Sequence, residues 1–241
     1  GLGDVYKRQN GELSSDVEDG EVHVQPMAAY DEILLKTPDL LLSGKAIERV
    51  FNRCIPQIQK PLELFGRDVD FLMVCLRAVT YGEEMRISYT HDCEEAKSHE
   101  YTVDLTQFIT GSKSIDPTKK NSTYSKTLEN GQVVNLHPAR MRDVLQMMQH
   151  YNPSEVLTAE KEHEDTINTI MSVISDVDGV ENPEFIKEWI ATISAKWTKV
   201  LSEAIEDTGN FGPDLTHTLK CKDCGKEIKV AAPINALSFF S

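Results

Sequence analysis

The sequence lacks any long hydrophobic run. No apolar stretch approaches the roughly 20 residues that a helix needs to cross a bilayer, and no segment joins a charged start to an apolar stretch as a secretory signal does. We therefore expect no membrane partner. We also expect the cysteines to favour a metal over disulfide bonds, because disulfides are rare in proteins that are not exported.

Clusters of basic residues are also missing. The 241 residues include 25 Lys and Arg against 39 Asp and Glu, which gives a formal net charge of −14 at pH 7. Proteins that hold nucleic acid present a basic surface to the phosphates, so we expect no nucleic acid partner. The acidity favours solubility and contact with a basic protein.

The motifs of common catalytic sites are absent from the sequence as well. It contains no phosphate-binding glycine-rich loop, no nucleophile elbow and no His-Glu-x-x-His helix. Its acidic residues are scattered in the manner of solvated helix faces. We therefore expect that the protein is not an enzyme, and that it has no catalytic residue, no organic cofactor and no small-molecule substrate.

The clearest chemical feature that is present lies near the C-terminus. Cys221 and Cys224 are separated by two residues and followed by Gly225, between two strand-like runs; we call residues 221–225 the knuckle. Two thiolates at this spacing can bind one tetrahedral metal ion from a tight turn, and the glycine relieves the backbone just after the second sulfur. A structural zinc site has four ligands, so two more are expected elsewhere.

The other cysteines and a second hairpin indicate where these ligands lie. Cys54 and Cys75 fall in apolar, helix-like segments and are expected to be buried, which leaves Cys93. It closely follows His91 at the end of a strand-like run, and the chain returns through another such run from Tyr101. The knuckle has the same order of strand, ligand-type residues and strand.

Two such hairpins placed side by side make a zinc ribbon, in which each hairpin supplies two ligands. We therefore predict one structural zinc ion bound by His91, Cys93, Cys221 and Cys224. Protein would fill all four positions, so such a site leaves no place for water or substrate.

Several alternatives to this site stay open from the sequence. A Cys-x-x-Cys pair also occurs in redox proteins, although there it normally opens a helix after a strand. A second alternative is that the knuckle binds no metal. The first hairpin favours this alternative, because its His91-x-Cys93 spacing is one residue shorter than the usual spacing of two zinc ligands. In that case His91 is an exposed loop residue. Other candidates for the fourth ligand are His99 and His217.

Hydrophobic periodicity predicts an α+β protein that is mainly helical. Apolar residues cover most of the circumference of a helix at about 68–81, which predicts a central, buried helix. Further helices are predicted at about 138–151, 152–175 and 182–208. The last carries a long apolar stripe with Trp189 and Trp197, which either packs on the preceding helix or forms an interface with another protein.

We thus predict a helical bundle with a small antiparallel, zinc-ribbon-like β element made by the two cysteine-containing hairpins. In order, the segments are a non-native or flexible lead-in, a helical region with the first hairpin, an exposed loop with a short strand, a second helical region, and the C-terminal hairpin packed back on the first. Their bounds are 1–20, 21–110, 111–135, 136–208 and 209–241. Gly1–Gln9 is typical of adapter sequence, and we expect the native N-terminus to be missing.

A set of short motifs runs through the chain. The motifs are Pro26-Met27, Asp31 to Leu41, Cys54-Ile55-Pro56, Asp68 to Leu72, Leu76 to Gly82, Val103-Asp104-Leu105, the knuckle and Phe239-Phe240. In this combination the chain resembles the T-even-type (T4-like) baseplate hub family of contractile-tailed phages, from about Glu21 to Ser241. Many members of that family carry Cys-x-x-Cys in the first hairpin, where this chain has His91-Asp92-Cys93.

The resemblance implies a structural or assembly protein of the tail baseplate hub that acts through contacts with other baseplate and tail hub proteins. It implies a place in the host cytoplasm during assembly, and in the virion if the protein is retained. The alternative is a zinc-stabilised adaptor or regulatory binding module that is not of phage origin.

Overall fold

The polypeptide folds around two hydrophobic cores. The computed structural model of the protein describes residues 4–7, 21–93, 97–114, 124–150 and 158–232. The first core is built mainly by residues 22–108, and the second by residues 128–204. Helices and small antiparallel sheets contribute to the fold, so the predicted α+β class is confirmed.

The N-terminal half combines a cluster of helices with two hairpins. Its elements are β1 (Asp4–Lys7), β2 (Glu21–Val24), α1 (Ala29–Leu35), α2 (Pro38–Leu42), α3 (Lys45–Cys54), a 3-10 turn (Pro61–Glu63), α4 (Gly66–Tyr81), β3 (Glu84–Thr90), β4 (Ser98–Asp104) and α5 (Thr106–Thr110). β1 pairs antiparallel with β2, and β3 with β4. Part of the segment Gly1–Gln9 therefore forms a strand, whereas the lead-in Asn10–Gly20 lies outside the described residues.

Helix α4 lies at the centre of the first core, as its apolar pattern predicts. Consecutive or nearly consecutive side chains on it are at most 1% exposed: Phe71, Leu72, Val74, Cys75 and Leu76. Because neighbouring residues point in different directions around a helix, burial of this set means that α4 is covered on most of its circumference. Cys54 and Cys75 are buried as expected.

The second half places a small sheet and four helices around the second core. Its elements are β5 (Tyr124–Thr127), β6 (Val133–Leu136), α6 (Met141–His150), α7 (Ala159–Val173), β7 (Ile174–Val177), α8 (Pro183–Thr192), α9 (Ala195–Thr208), β8 (Thr216–Lys220) and β9 (Glu227–Ala231). β6 is the middle strand of an antiparallel β5-β6-β7 sheet, and β8 and β9 form the C-terminal hairpin. Across the described ranges, no helix has the length and apolar character needed to span a membrane.

The helix predicted at about 182–208 is in fact two helices. Asn182 caps α8 as its start signal predicts, because its side chain accepts hydrogen bonds from two backbone N–H groups of the first turn. The helix ends where Ile193 is extended, with ψ at 151°. The Ser194 side chain then accepts a hydrogen bond from the N–H of Trp197 and caps α9. The prediction of one continuous helix is wrong, since the apolar spacing runs on across this serine cap.

Despite this break, the apolar stripe packs on the preceding helix. Its buried members belong to the second core: Ile186, Trp189, Ile190, Leu201 and Ala204. Both α8 and α9 contact α7. The Trp189 Nε1–H also donates to Gln132 Oε1 at 3.1 Å, which fixes the indole against the turn before β6.

Strand β5 lies inside the region 111–135, which was predicted as an exposed loop followed by one short strand from Gln132. It pairs antiparallel with β6 from Tyr124 to Thr127, and the Ser125 hydroxyl donates to Asn135 Oδ1 at 2.6 Å. The loop prediction is wrong for these residues, because pairing with a strand further along the chain overrides a polar local sequence.

Strand β7 replaces the predicted end of the 152–175 helix. The helix ends at Val173, and the next residues pair with β6, where Asn135 Nδ2 donates to Asp176 Oδ1 at 3.0 Å. Ile174 and Val177 are buried in the second core, so tertiary packing selects the strand. The predicted start of that helix lies outside the described residues.

A short segment joins α9 to the C-terminal hairpin. Gly212 has φ of +83° and exchanges two backbone hydrogen bonds with Lys113, at 2.8 and 2.9 Å. The Arg67 guanidinium donates to the carbonyl oxygens of Phe211 and Pro213, at 3.0 and 2.6 Å. This segment therefore lies tightly against the start of α4.

Replacing Gly212 by alanine should lower the free energy of unfolding more than a matched glycine substitution. A Cβ there would lie 2.9 Å from Arg67 Cβ and 3.1 Å from the Arg67 carbonyl oxygen, so a steric cost of about 1–3 kcal/mol adds to the roughly 1–2 kcal/mol of left-handed backbone. Gly131→Ala is the control, because Gly131 also has positive φ but no atom within 4 Å of its Cβ position. Equal losses in urea unfolding would contradict the proposed close contact.

Candidate metal centre

The tips of the two cysteine hairpins meet in the folded chain. In the first hairpin β3 pairs with β4, and Ile87 lies opposite Tyr101; in the second, β8 pairs with β9. Each hairpin is a separate two-stranded sheet, so side chains rather than strand pairing bring the two together. The structure therefore places residues 133 positions apart in the chain, His91 and Cys224, in direct contact.

The knuckle is a tight turn at the end of β8. The N–H of Cys221 donates to the Lys226 carbonyl at 2.8 Å, and the N–H of Gly225 donates back to the Cys221 carbonyl at 2.9 Å. Gly225 has φ of +73°, in the left-handed region that glycine adopts without strain. The role assigned to this glycine from the sequence is confirmed.

The structure brings together the four side chains named from the sequence. One donor atom each of His91, Cys93, Cys221 and Cys224 lies within 4.8 Å of the other three. The Cys224 Sγ and His91 Nδ1 atoms are 3.4 Å apart. Cys221 is 2% exposed, Cys224 is exposed, and the other two are half-buried. The cluster thus lies at the surface, with one sulfur covered.

This donor set fits a tetrahedral zinc ion. Zinc–sulfur bonds of about 2.3 Å and zinc–nitrogen bonds of about 2.0 Å place two sulfurs about 3.8 Å apart, and a sulfur and a nitrogen about 3.5 Å apart, in a tetrahedron. The 3.4 Å between Cys224 Sγ and His91 Nδ1 is close to the sulfur–nitrogen value, and all four donor atoms lie within 4.8 Å of one another, so side-chain adjustments of about 1 Å or less satisfy this geometry. Three thiols with one imidazole are also ligands that suit zinc among the common divalent ions.

The backbone around Cys221 favours its thiolate. N–H groups of Cys224 and Asp223 point at its sulfur, with a contribution from the Cys224 and His91 side chains, and lower the pKa of Cys221 to about 6. The thiolate is the form that binds a metal ion. Cys221 is therefore prepared for coordination at neutral pH by the turn that carries it.

The two alternative fourth ligands are engaged elsewhere. His99 Nε2 lies 2.7 Å from Asp223 Oδ1, and the ring of His217 packs edge-on against Phe108 with centroids 6.5 Å apart. Neither histidine belongs to the cluster of four. A strand rather than a helix follows the knuckle, so its setting also differs from that of the redox motif.

The contacts that hold the knuckle on the first hairpin were missed by the sequence analysis. Lys222 Nζ donates to the Glu100 carbonyl at 2.6 Å and lies 5.1 Å from the centroid of the Tyr101 ring. The neighbouring Asp223 pairs with His99. The available signal was the pair of charged residues, Lys222 and Asp223, between the two cysteines of the knuckle.

These features first define a class of protein: an α+β chain in which a C-terminal hairpin is held on an N-terminal hairpin at a Cys/His cluster. A family model described as T4 bacteriophage base plate protein matches residues 12–241. The chain belongs to this family, which confirms the resemblance to T4-like baseplate proteins. No curated protein and no solved structure matches the chain.

Proposed function

We propose that the protein is a structural or assembly subunit of the baseplate hub in a contractile phage tail. The observation that carries this proposal is the family match over residues 12–241. The sequence motifs in α1 to α4 support the assignment of the chain to the hub, as opposed to another part of the baseplate. The protein acts through contacts with other baseplate and tail hub proteins and not through catalysis, and it is made and assembled in the host cytoplasm. The family match leaves the non-phage adaptor without support.

The outer face of α1 supports a role in protein contacts. Tyr30 and Ile33 lie about one turn apart and are 63% and 61% exposed. Large apolar side chains so exposed and so close together are typical of interaction sites. Ile33 also falls within the Asp31 to Leu41 motif on which the hub resemblance rests, and Tyr30 directly precedes that motif. We therefore assign this face of α1 to a neighbouring hub protein.

Mass spectrometry of purified virions and of tail assembly intermediates tests the hub proposal. We expect peptides of this chain together with hub proteins in the intermediates, and their presence or loss in the virion shows whether the protein is retained. Ile33→Glu should deplete the protein from intermediates, whereas Val180→Glu should not, because Val180 is also exposed, at 40%, but lies outside α1. Absence of the chain from every tail fraction would contradict the proposal.

We further propose that His91, Cys93, Cys221 and Cys224 bind one structural zinc ion and make the two hairpins a zinc-ribbon-like element. The proximity of the four donor atoms supports it. With four protein ligands the ion has no open position, so its contribution is to stability and not to chemistry. It would join the N-terminal and C-terminal hairpins.

Two histidine variants test whether His91, and not the nearby His99, is the fourth zinc ligand. His91→Ala should lower zinc affinity by more than the roughly 10- to 100-fold that follows loss of an outer partner, because it removes a donor atom. His99→Ala is the control: it removes the contact to Asp223 and the edge-on contact with the Tyr101 ring but no donor atom of the cluster, and should leave one zinc per chain. Competition with a chromogenic chelator measures both affinities. A larger loss for His99→Ala would sink the assignment of the fourth ligand.

A further inference from the structure

An apolar cavity of about 450 Å³ lies where the two cores meet. Ile47 and Val69 of the first core and Val173 of the second contribute to its wall. Four of the seven methionines of the chain also line it: Met73, Met141, Met147 and Met148. We call it the methionine cavity. Nothing in the described part of the chain fills it.

The lining of this cavity suits aromatic rings. Methionine side chains adapt to irregular partners and make favourable sulfur contacts with aromatic edges. An apolar cavity of about 150 Å³ holds one benzene molecule, so this one has room for about two rings. Met148 is 43% exposed, which leaves the cavity accessible from the surface. Wall atoms that face an empty space lose dispersion contacts, so an occupant would stabilise the fold.

The chain carries a matching segment beyond the described residues. Residues 233–241 read Pro-Ile-Asn-Ala-Leu-Ser-Phe-Phe-Ser and contain no charged side chain, although 27% of the whole sequence is charged. Phe239 and Phe240, adjacent in the sequence near the end of this C-terminal segment, are called the aromatic pair. An uncharged segment with two adjacent aromatic residues therefore matches the apolar, methionine-lined wall of the cavity.

The residue that precedes the C-terminal segment, Ala232, is close to the cavity wall. The N–H of Ala232 donates to the Leu215 carbonyl at 2.7 Å. Two residues earlier, the Pro213 carbonyl accepts a hydrogen bond from Arg67, which is itself part of the cavity wall. Two residues span at most about 7 Å, whereas the seven residues from Ala232 to Phe239 span up to about 23 Å. The aromatic pair is therefore within reach.

We propose that the C-terminal segment occupies the methionine cavity of its own chain, with Phe239 and Phe240 against the four methionines. This contact ties the first core to the second, independently of the metal centre and of the hub assignment. It gives the fold two C-terminal attachments, one at the knuckle and one at the cavity.

Methyl NMR of the full chain with labelled methionines tests this occupant. Phe239→Ala/Phe240→Ala should shift the signals of Met73, Met141, Met147 and Met148, because ring currents act only nearby. The remaining methionines, Met27, Met85 and Met171, do not line the cavity and should keep their positions. A shift confined to the first four supports the proposal; no shift, or equal shifts of all seven, overturns it.

Two further measurements identify the source of the occupant. A chain that ends at Ala232 should regain the full-length signals when the peptide of residues 233–241 is added, but not with the same peptide carrying serine for both phenylalanines. The signals of the full chain should not change on tenfold dilution. Dilution-dependent signals would mean that a second copy supplies the segment and would overturn the proposal. If the shortened chain does not fold, the methionine signals of the Phe239→Ala/Phe240→Ala variant alone decide whether the C-terminal segment occupies the cavity.

Discussion

Replacing Cys221 by serine is expected to abolish the effect of zinc on stability. The wild-type chain should gain about 4 kcal/mol in free energy of unfolding when free zinc is about 1,000-fold above its dissociation constant, since only the folded state brings the four donors together. Serine keeps the size of the side chain but supplies no thiolate. Urea unfolding with zinc and with a chelator measures the zinc-dependent gain in free energy of unfolding for the wild-type chain and for Cys221→Ser.

A second cysteine provides the control for this experiment. Cys75 is fully buried in α4 and is not a member of the Cys/His cluster. Cys75→Ala should lower stability by the same amount with and without zinc, because it removes packing and no ligand. The zinc proposal would fail if the wild-type chain were equally stable in both conditions, or if Cys221→Ser kept the full zinc increment.

Replacing Phe71 by alanine is expected to lower the free energy of unfolding by about 3–5 kcal/mol. Phe71 is 1% exposed and lies on the central helix of the first core. The loss combines the transfer of a large apolar side chain with the cavity that it leaves. Because small domains are stable by only about 5–15 kcal/mol, this single change removes a large share of the total.

The same substitution at Phe185 gives a matched comparison. Phe185 lies on α8 and is 39% exposed, so Phe185→Ala should change stability by about 1 kcal/mol or less. Both variants can be followed by the helical circular dichroism signal in urea. Similar losses at the two positions would contradict the assignment of α4 as the centre of a core.

The candidate ligands were predictable because few residue types bind zinc. The knuckle spacing and Gly225 indicate two ligands directly, and the comparison of two similar hairpins led to His91 and Cys93. Which histidine completes the set was not decided by the sequence, since His99 is only eight positions from His91. The choice depends on how Asp223 and Lys222 seat the knuckle on β4, which is a tertiary contact.

The elements that were predicted wrongly share a physical cause. β5 and β7 exist because each pairs with β6, and strand pairing depends on a partner that local patterns do not specify. The break between α8 and α9 depends on one cap at Ser194 within a continuous apolar stripe. In contrast, α4 was predicted well because apolar residues cover most of its circumference and leave only a buried helix as the solution.

The metal content of the purified chain tests the central claim most directly. Elemental analysis of protein purified without added metal should find one zinc ion per chain, and a strong chelator should remove that ion and lower the unfolding midpoint. A fully folded wild-type chain that contains no zinc, and whose stability does not change when zinc is added, would contradict the account.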